Sequence, residues 1–177
     1  ISKIGSNRLV HVYDQENPKI IEQMGWPKQV VQNWHYANSI HLVDYFQIFC
    51  RGALERVEKI LEWKTNTPSF VMAKLIYESG DIGIYEAIWE GPGPWAVTVT
   101  TPEKRWELRP LEKASFQSYN SRKINVIPQK DWDKKFKPGL RKQAEEAVNA
   151  IKGRPNSLPD LAEGFSAMKI IKAVYGI

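Results

Sequence analysis

The one compact run of side chains able to move a proton lies between Asn33 and Asp44: Asn-Trp-His-Tyr-Ala-Asn-Ser-Ile-His-Leu-Val-Asp. On an α-helix His41 and Asn38 are three residues apart and share a face, as do His41 and Asp44. An imidazole near a helix start, flanked by an amide and a carboxylate, can give or take a proton at a substrate hydroxyl. The same pattern also suits a capping or core-edge histidine satisfied by Asp44, and residue types alone put that reading first.

Other candidates are more dispersed. Lys137 and Arg141, in Phe136-Lys137-Pro138-Gly139-Leu140-Arg141, fall at an expected helix start, where backbone N–H groups and cationic side chains can hold an anion. An exposed basic helix start fits them equally. Trp34, Tyr36 and Trp95 can stack on the apolar face of a sugar ring, although each serves core packing as readily. Arg105 and Arg109 alternate with Trp106 and Leu108, the pattern of a solvated or interface strand face.

Several chemistries lack their residues. No G-x-G-x-x-G opens a βαβ unit and no P-loop lysine motif is present, so no nucleotide cradle is expected in this chain. Gly91-Pro92-Gly93-Pro94 has too many prolines to offer successive N–H donors. Three scattered histidines and one cysteine do not make a zinc spacing, so no metal is expected. No serine sits in a nucleophile elbow. The net charge of +5 is mild and interspersed, which argues against a nucleic-acid footprint and leaves a modest field favouring phosphorylated or carboxylated ligands.

Positioning elements follow from hydrophobic periodicity. A chain of 177 residues suits one domain with a real core. An apolar stretch (Leu9, Val10, Val12, Tyr13) precedes a helix in which Ile40, Val43, Phe46 and Cys50 recur, with Asn38 or Ser39 as its cap and Gly52 as its stop. Strands are expected over Arg56 to Lys64 (Val57, Leu61 and Trp63 on one face), Phe70 to Tyr77, Ile82 to Trp89, Trp95 to Thr100, Arg105 to Arg109 and Ile124 to Ile127. Short turns between them imply antiparallel neighbours. Two helices close the chain. Gly139 to Lys152 carries a stripe of Leu140, Ala144, Ala147, Val148 and Ile151. The last, with Ser157 as candidate cap, should turn Leu161, Phe165, Met168, Ile171 and Tyr175 inward. The class is α+β, one large mostly antiparallel sheet with helices on one face.

The segment Ile40-His41-Leu42-Val43-Asp44, running through Phe49-Cys50-Arg51 to Gly52, resembles the opening of the C-terminal domain of the glucose-fructose oxidoreductase/inositol dehydrogenase (Gfo/Idh/MocA) family. There an H-x-x-D helix follows the nucleotide-binding Rossmann domain and runs into a glycine. The later order of long strands, two closing helices and Leu158-Pro159 before the last is similar too. The resemblance implies that residues 1–177 form a single substrate-binding and oligomerisation domain, separate from its Rossmann domain. NAD or NADP would serve the intact enzyme and none would bind this chain alone. It further implies a sugar-like substrate, with His41 at the hydroxyl being oxidised. Asn38, Asp44, Trp34, Tyr36, Lys137 and Arg141 are the substrate-binding candidates read from their own positions. A homo-oligomer would form through the sheet.

Two departures stand out. Ala37 replaces an aspartate that many members carry four residues before the histidine, and the family's Glu-Lys-Pro lysine has no counterpart here. The isolated chain is therefore expected to be inactive. The competing reading is a non-catalytic module for sheet-mediated oligomerisation or binding. The chain opens on Ile1 rather than Met and reads as part of something longer. No secretory pattern marks Ile1 to Leu9, no run reaches membrane-spanning length, and the single cysteine suits a reducing compartment, so a cytoplasmic location without membrane partners is expected. A domain of this kind, taken without its partner, should expose apolar area near Asn38 to Asp44 and on its last helix.

Overall fold

The computed structural model describes residues 6–65 and 70–177; the reading of Ile1 through Gly5 as free of a leader lies outside them. Eight strands form one sheet: β1 (Leu9–Glu16), β2 (Leu54–Leu61), β3 (Phe70–Tyr77), β4 (Ile82–Trp89), β5 (Ala96–Thr100), β6 (Lys104–Leu108), β7 (Ala114–Ser118) and β8 (Asn125–Val126). Between β1 and β2 lie α1 (Pro18–Gln23), α2 (Lys28–Gln32), a π-helical turn (His35–Ser39) and α3 (Ile40–Phe49). After β8 come α4 (Asp131–Lys135), α5 (Leu140–Ile151) and α6 (Leu161–Tyr175).

The strand order is β2-β3-β4-β1-β5-β6-β7-β8. Within β2-β3-β4 and within β5-β6-β7-β8 chain neighbours pair antiparallel, as short turns require, and β1 inserts between the two sets. β1 lies parallel to β4, with Val12 opposite Tyr85, and antiparallel to β5, with Val12 opposite Val97. The sheet is mostly antiparallel, as expected; β1 can lie parallel to β4 because it reaches its neighbours through long connections that turn chemistry does not constrain.

Alternation decides which side chains meet the helices. Val10, Val12, Leu75, Tyr85, Val97 and Val99 point to one face and pack against Leu42, Val43 and Phe46 of α3 and Ile171 and Val174 of α6. Gly83 permits the closest approach: a Cβ there would lie 2.7 Å from the Phe46 ring, so any larger residue would push α3 off the sheet. The opposite face carries His11 stacked on Tyr13 at 3.9 Å, with the Arg109 guanidinium 5.1 Å from the Tyr13 ring.

Several expectations are corrected. β2 ends at Leu61, leaving Trp63 beyond the strand, and two register shifts break its alternation. Neither Asn38 nor Ser39 caps α3, since the chain enters it already helical through the π turn. Asp160 caps α6 in a capping box with Glu163, while the Ser157 N–H donates to Glu146 instead. The inward face of α6 is Ala167, Ile170, Ile171, Val174 and Tyr175; Leu161 is 94% exposed, and Phe165 and Met168 also face out. α5 turns Glu146 inward and leaves Leu140, Val148 and Ile151 exposed. Among the described residues no helix is long and apolar enough to cross a membrane.

Candidate functional site

The segment carrying His41 is fastened to the sheet through one carboxyl group. Alternation along β1 sends Val10, Val12, Asp14 and Glu16 to the helix-facing side, so two acids follow two valines into the interior. Glu16 accepts hydrogen bonds from the Trp34 indole N–H at 2.5 Å, from Asn38 Nδ2 at 2.9 and 3.0 Å, and from the Ser39 hydroxyl at 3.2 Å. These donors stand four and five positions apart. A π-helical turn, which closes at five, brings them over a single acceptor better than an α-helix does.

Among the described residues no cation pairs with this carboxyl. Burial pushes Glu16 up to about 8, and the charge of neighbouring Asp14 adds to the rise. Asp14 is raised as well, mainly by burial. It accepts from the Tyr85 hydroxyl at 2.6 Å, and that hydroxyl meets Tyr175 of α6 at 2.8 Å. At neutral pH Glu16 therefore keeps its proton, and hydrogen bonds through Glu16 and Asp14 join β1, β4, the π turn and α6 into one mount.

His41 stands on the opposite side of this mount. Its imidazole is exposed at the start of α3 and, among the described residues, makes no hydrogen bond, ion pair or ring contact. Asn38 faces inward to Glu16, so the two do not share a face; the π turn shifts the helical phase between them. Asp44 remains on the His41 side, accepting from Gln47 at 2.8 Å, while Gln47 also reaches the Glu163 carbonyl of α6 at 3.2 Å. Apolar exposure is present on the last helix, at Phe165 and Met168, as expected; near Asn38 to Asp44 the expectation is corrected, because Leu42 and Val43 turn into the core, and the exposed apolar residue of α3 is Ile48 instead.

The remaining candidates divide. Trp34 is buried with its indole N–H committed to Glu16. Tyr36 is half-buried and 4.7 Å from the His35 ring. Arg141 pairs with Glu145 at 2.9 Å and lies 4.9 Å from the Trp132 ring, so its charge is already engaged, while Lys137 is exposed before α5. No hydrogen bond or ring contact joins either cation to residues 38–44 among the described residues. Cys50 is buried and its thiol pushed up to about 12 by burial first and the Asp81 charge second, which makes it unreactive.

Beside the mount lies a cavity of about 650 Å³, walled by Trp34, His35, Trp63 and Trp89 and edged by Lys19, Glu22 and Glu90. Periodicity did not single out Glu16, Asp14, His35 or Trp89 as site residues. The readable signal was acid at positions 14 and 16 in phase with Val10 and Val12, since charged residues rarely occupy buried strand positions without purpose. Among the described residues no group of His, Cys, Asp or Glu is arranged to hold a metal ion. The sequence holds no glycine-rich phosphate cradle of the dinucleotide-binding kind.

No protein-family profile matches the chain, and no curated protein matches it. Solved structures do. UDP-N-acetylglucosamine 3-dehydrogenase GnnA from Acidithiobacillus ferrooxidans superposes with a TM-score of 0.72 at 11% identity, covering 98% of this chain and 54% of the other. A dehydrogenase from Chromobacterium violaceum gives 0.71 at 15% identity, covering 96% and 52%. The WlbA dehydrogenase from Bordetella pertussis, solved with NADH and UDP-GlcNAcA, gives 0.59 at 12% identity, covering 97% and 54%. The chain thus spans about half the length of these enzymes, and over that half it has the fold they share, a fold of Gfo/Idh/MocA-type dehydrogenases.

Proposed function

We propose that residues 1–177 are the C-terminal, substrate-binding domain of an NAD(P)-dependent oxidoreductase acting on a sugar, sugar derivative or related polyol. The observation that carries this reading is His41: an unpartnered imidazole on the open face of α3, held in place from behind by the Glu16 mount. Its ring would accept or return the proton of the substrate hydroxyl, with Asp44 one helical turn away to orient substrate or ring. The hydride would pass to a nicotinamide held by a Rossmann domain of the same enzyme, docked against the open face of α3 and α6. The exposed Leu161, Phe165 and Met168 suit such docking. The isolated domain would not turn over. A cytoplasmic setting suits the lone, buried Cys50.

The test is oxidation of a sugar and polyol panel by the full-length protein with NAD and NADP, comparing wild type with His41→Ala and His41→Asn. Loss of a proton-transferring group should lower kcat by about 100-fold or more while moving KM little. Unchanged kcat in His41→Ala would remove the histidine from the reaction.

A second reading is favoured by the outer sheet face, where His11, Tyr13, Ile84 and Glu86 form a half-buried band with His11 Nε2 3.2 Å from Glu86. A homo-oligomer through this face would serve the enzyme or a non-catalytic assembly module equally. Ile84→Lys should dissociate it in sedimentation; activity of the full-length protein separates the two roles.

A further inference from the structure

Packing alone does not explain why Asp14 and Glu16 share the interior. Each is 1% exposed, they stand two residues apart on the helix-facing side of β1, and among the described residues no cation pairs with either. The titratable groups around them are Tyr85 of β4, His35 of the π turn and Tyr175 of α6, while β5 contributes none. Burial raises both tyrosines further and lowers His35 to about 4, so all three are uncharged near neutrality. At the end of β4, Glu90 is already paired with Lys19 at 2.5 Å.

The hydrogens of this cluster are committed. The Trp34 indole N–H, the Asn38 amide and the Ser39 hydroxyl all donate to the two Glu16 oxygens. Tyr85 donates to Asp14 Oδ2, and Tyr175, which receives the Trp89 N–H, meets the Tyr85 hydroxyl. Asp14 Oδ1 is left buried with no N–H or O–H donor among the described residues, while the Glu16 carboxyl lies within hydrogen-bond reach of the Asp14 side chain. The hydrogen that can serve this oxygen is the acid proton of Glu16. Two of the donors gathered on Glu16, Asn38 and Ser39, directly precede Ile40 and His41. α3 has no side-chain cap of its own, so the π turn sets how it starts. A π turn holds one residue more than α-helical geometry needs, and each α-helical residue adds a rotation of about 100°. Relaxation of the turn would therefore re-aim His41.

We infer that Asp14 and Glu16 are positioning residues for His41, joined by one shared proton whose loss to solvent releases the π turn. Without that proton two like charges face each other in the interior and Asp14 Oδ1 loses its donor. Their repulsion drives Glu16 away from Asp14 and carries Asn38 and Ser39 with it, so the imidazole leaves its place on the open face. The consequence for catalysis rests on the dehydrogenase reading; the shared proton does not.

The experiment compares full-length wild type with Glu16→Gln and Asp14→Asn. Each variant puts a carboxamide N–H where the proton stands, so the pair stays joined at any pH. Infrared spectra of wild type should show a protonated carboxyl band at neutral pH that fades around pH 8 and that Glu16→Gln removes. The His41 ring resonance, assigned with His41→Asn, should carry an inflection at the same pH in wild type and not in either variant. With a sugar that the enzyme oxidises, the ratio of wild-type to variant kcat should fall about ten-fold per pH unit above that point, following the protonated fraction. Taking the ratio cancels every titration that wild type and variant share. No protonated carboxyl band at neutral pH, a His41 resonance indifferent to the transition, or a kcat ratio that does not change with pH overturns the inference. If no sugar or polyol is oxidised, the dehydrogenase reading alone fails, because the infrared and His41 measurements still decide this one.

Discussion

Two of the buried carboxyl groups, Glu16 and Asp81, end in opposite states. Asp81, at the β3–β4 turn, is forced upward by burial, but the Arg51 guanidinium and the Arg8 and Arg51 backbone N–H groups outweigh that and hold it down to about 2. Glu16 receives hydrogen bonds of similar number but only from neutral donors, with Asp14 alongside, and sits near 8. Burial is common to both. The presence of a cation decides whether the buried acid is an ion or a neutral hydrogen-bonding hub. The first knits the turn to the end of α3; the second can mount a helix without placing a charge behind His41.

Removing Arg51 breaks that contrast most strongly. Arg51→Ala leaves Asp81 as an uncompensated buried charge and should cost roughly 3 kcal/mol in chemical denaturation. Glu16→Ala comes next, at about 2 kcal/mol, because the Trp34 and Asn38 donors lose their acceptor. Glu16→Gln keeps a neutral group and should cost about 1 kcal/mol or less. Melting temperature against pH is the third measure. Glu16 is raised from its ordinary 4.5, so its share of stability is complete below pH 4.5 and lost as pH rises toward 8. Asp81 is depressed, so its share is present above pH 3.8 and lost as pH falls toward 2. Glu16→Gln should flatten the alkaline limb and leave the acid limb alone; flattening of both would show that the two clusters are coupled.

The regular parts of this fold could be read from residue order. Phe70–Tyr77, Ile82–Trp89 and the Ile40–Phe49 helix carry strong periodicity, and packing only reinforces it. Less could be read where polar residues occupy structural positions. Asp14 and Glu16 hide the full length of β1, and Ala-Ser-Phe-Gln-Ser gives β7 no apolar alternation, so that strand was missed. α1, α2 and α4, each of five or six residues, are too short for periodicity to register. α6 is apolar on more than one side, so sequence could not choose the stripe that meets the sheet; contact with Tyr85 and α3 makes that choice. At the site, His41 and Asp44 were legible as spacing, whereas the Glu16 mount depends on a strand–helix encounter that no local pattern encodes.

The central position of β1 has a consequence for how the chain reaches this structure. β2-β3-β4 and β5-β6-β7-β8 are each meanders of sequence neighbours, able to form by local closure. β1 alone bridges them, and its register with β4 spans more than seventy residues, from Leu9 to Ile82. β1 is made before both of its partners and so pairs late. Until β4 and β5 are made, its backbone N–H and C=O groups lack their ladder partners, which makes the pairing of β1 a late and slow step in assembling the sheet.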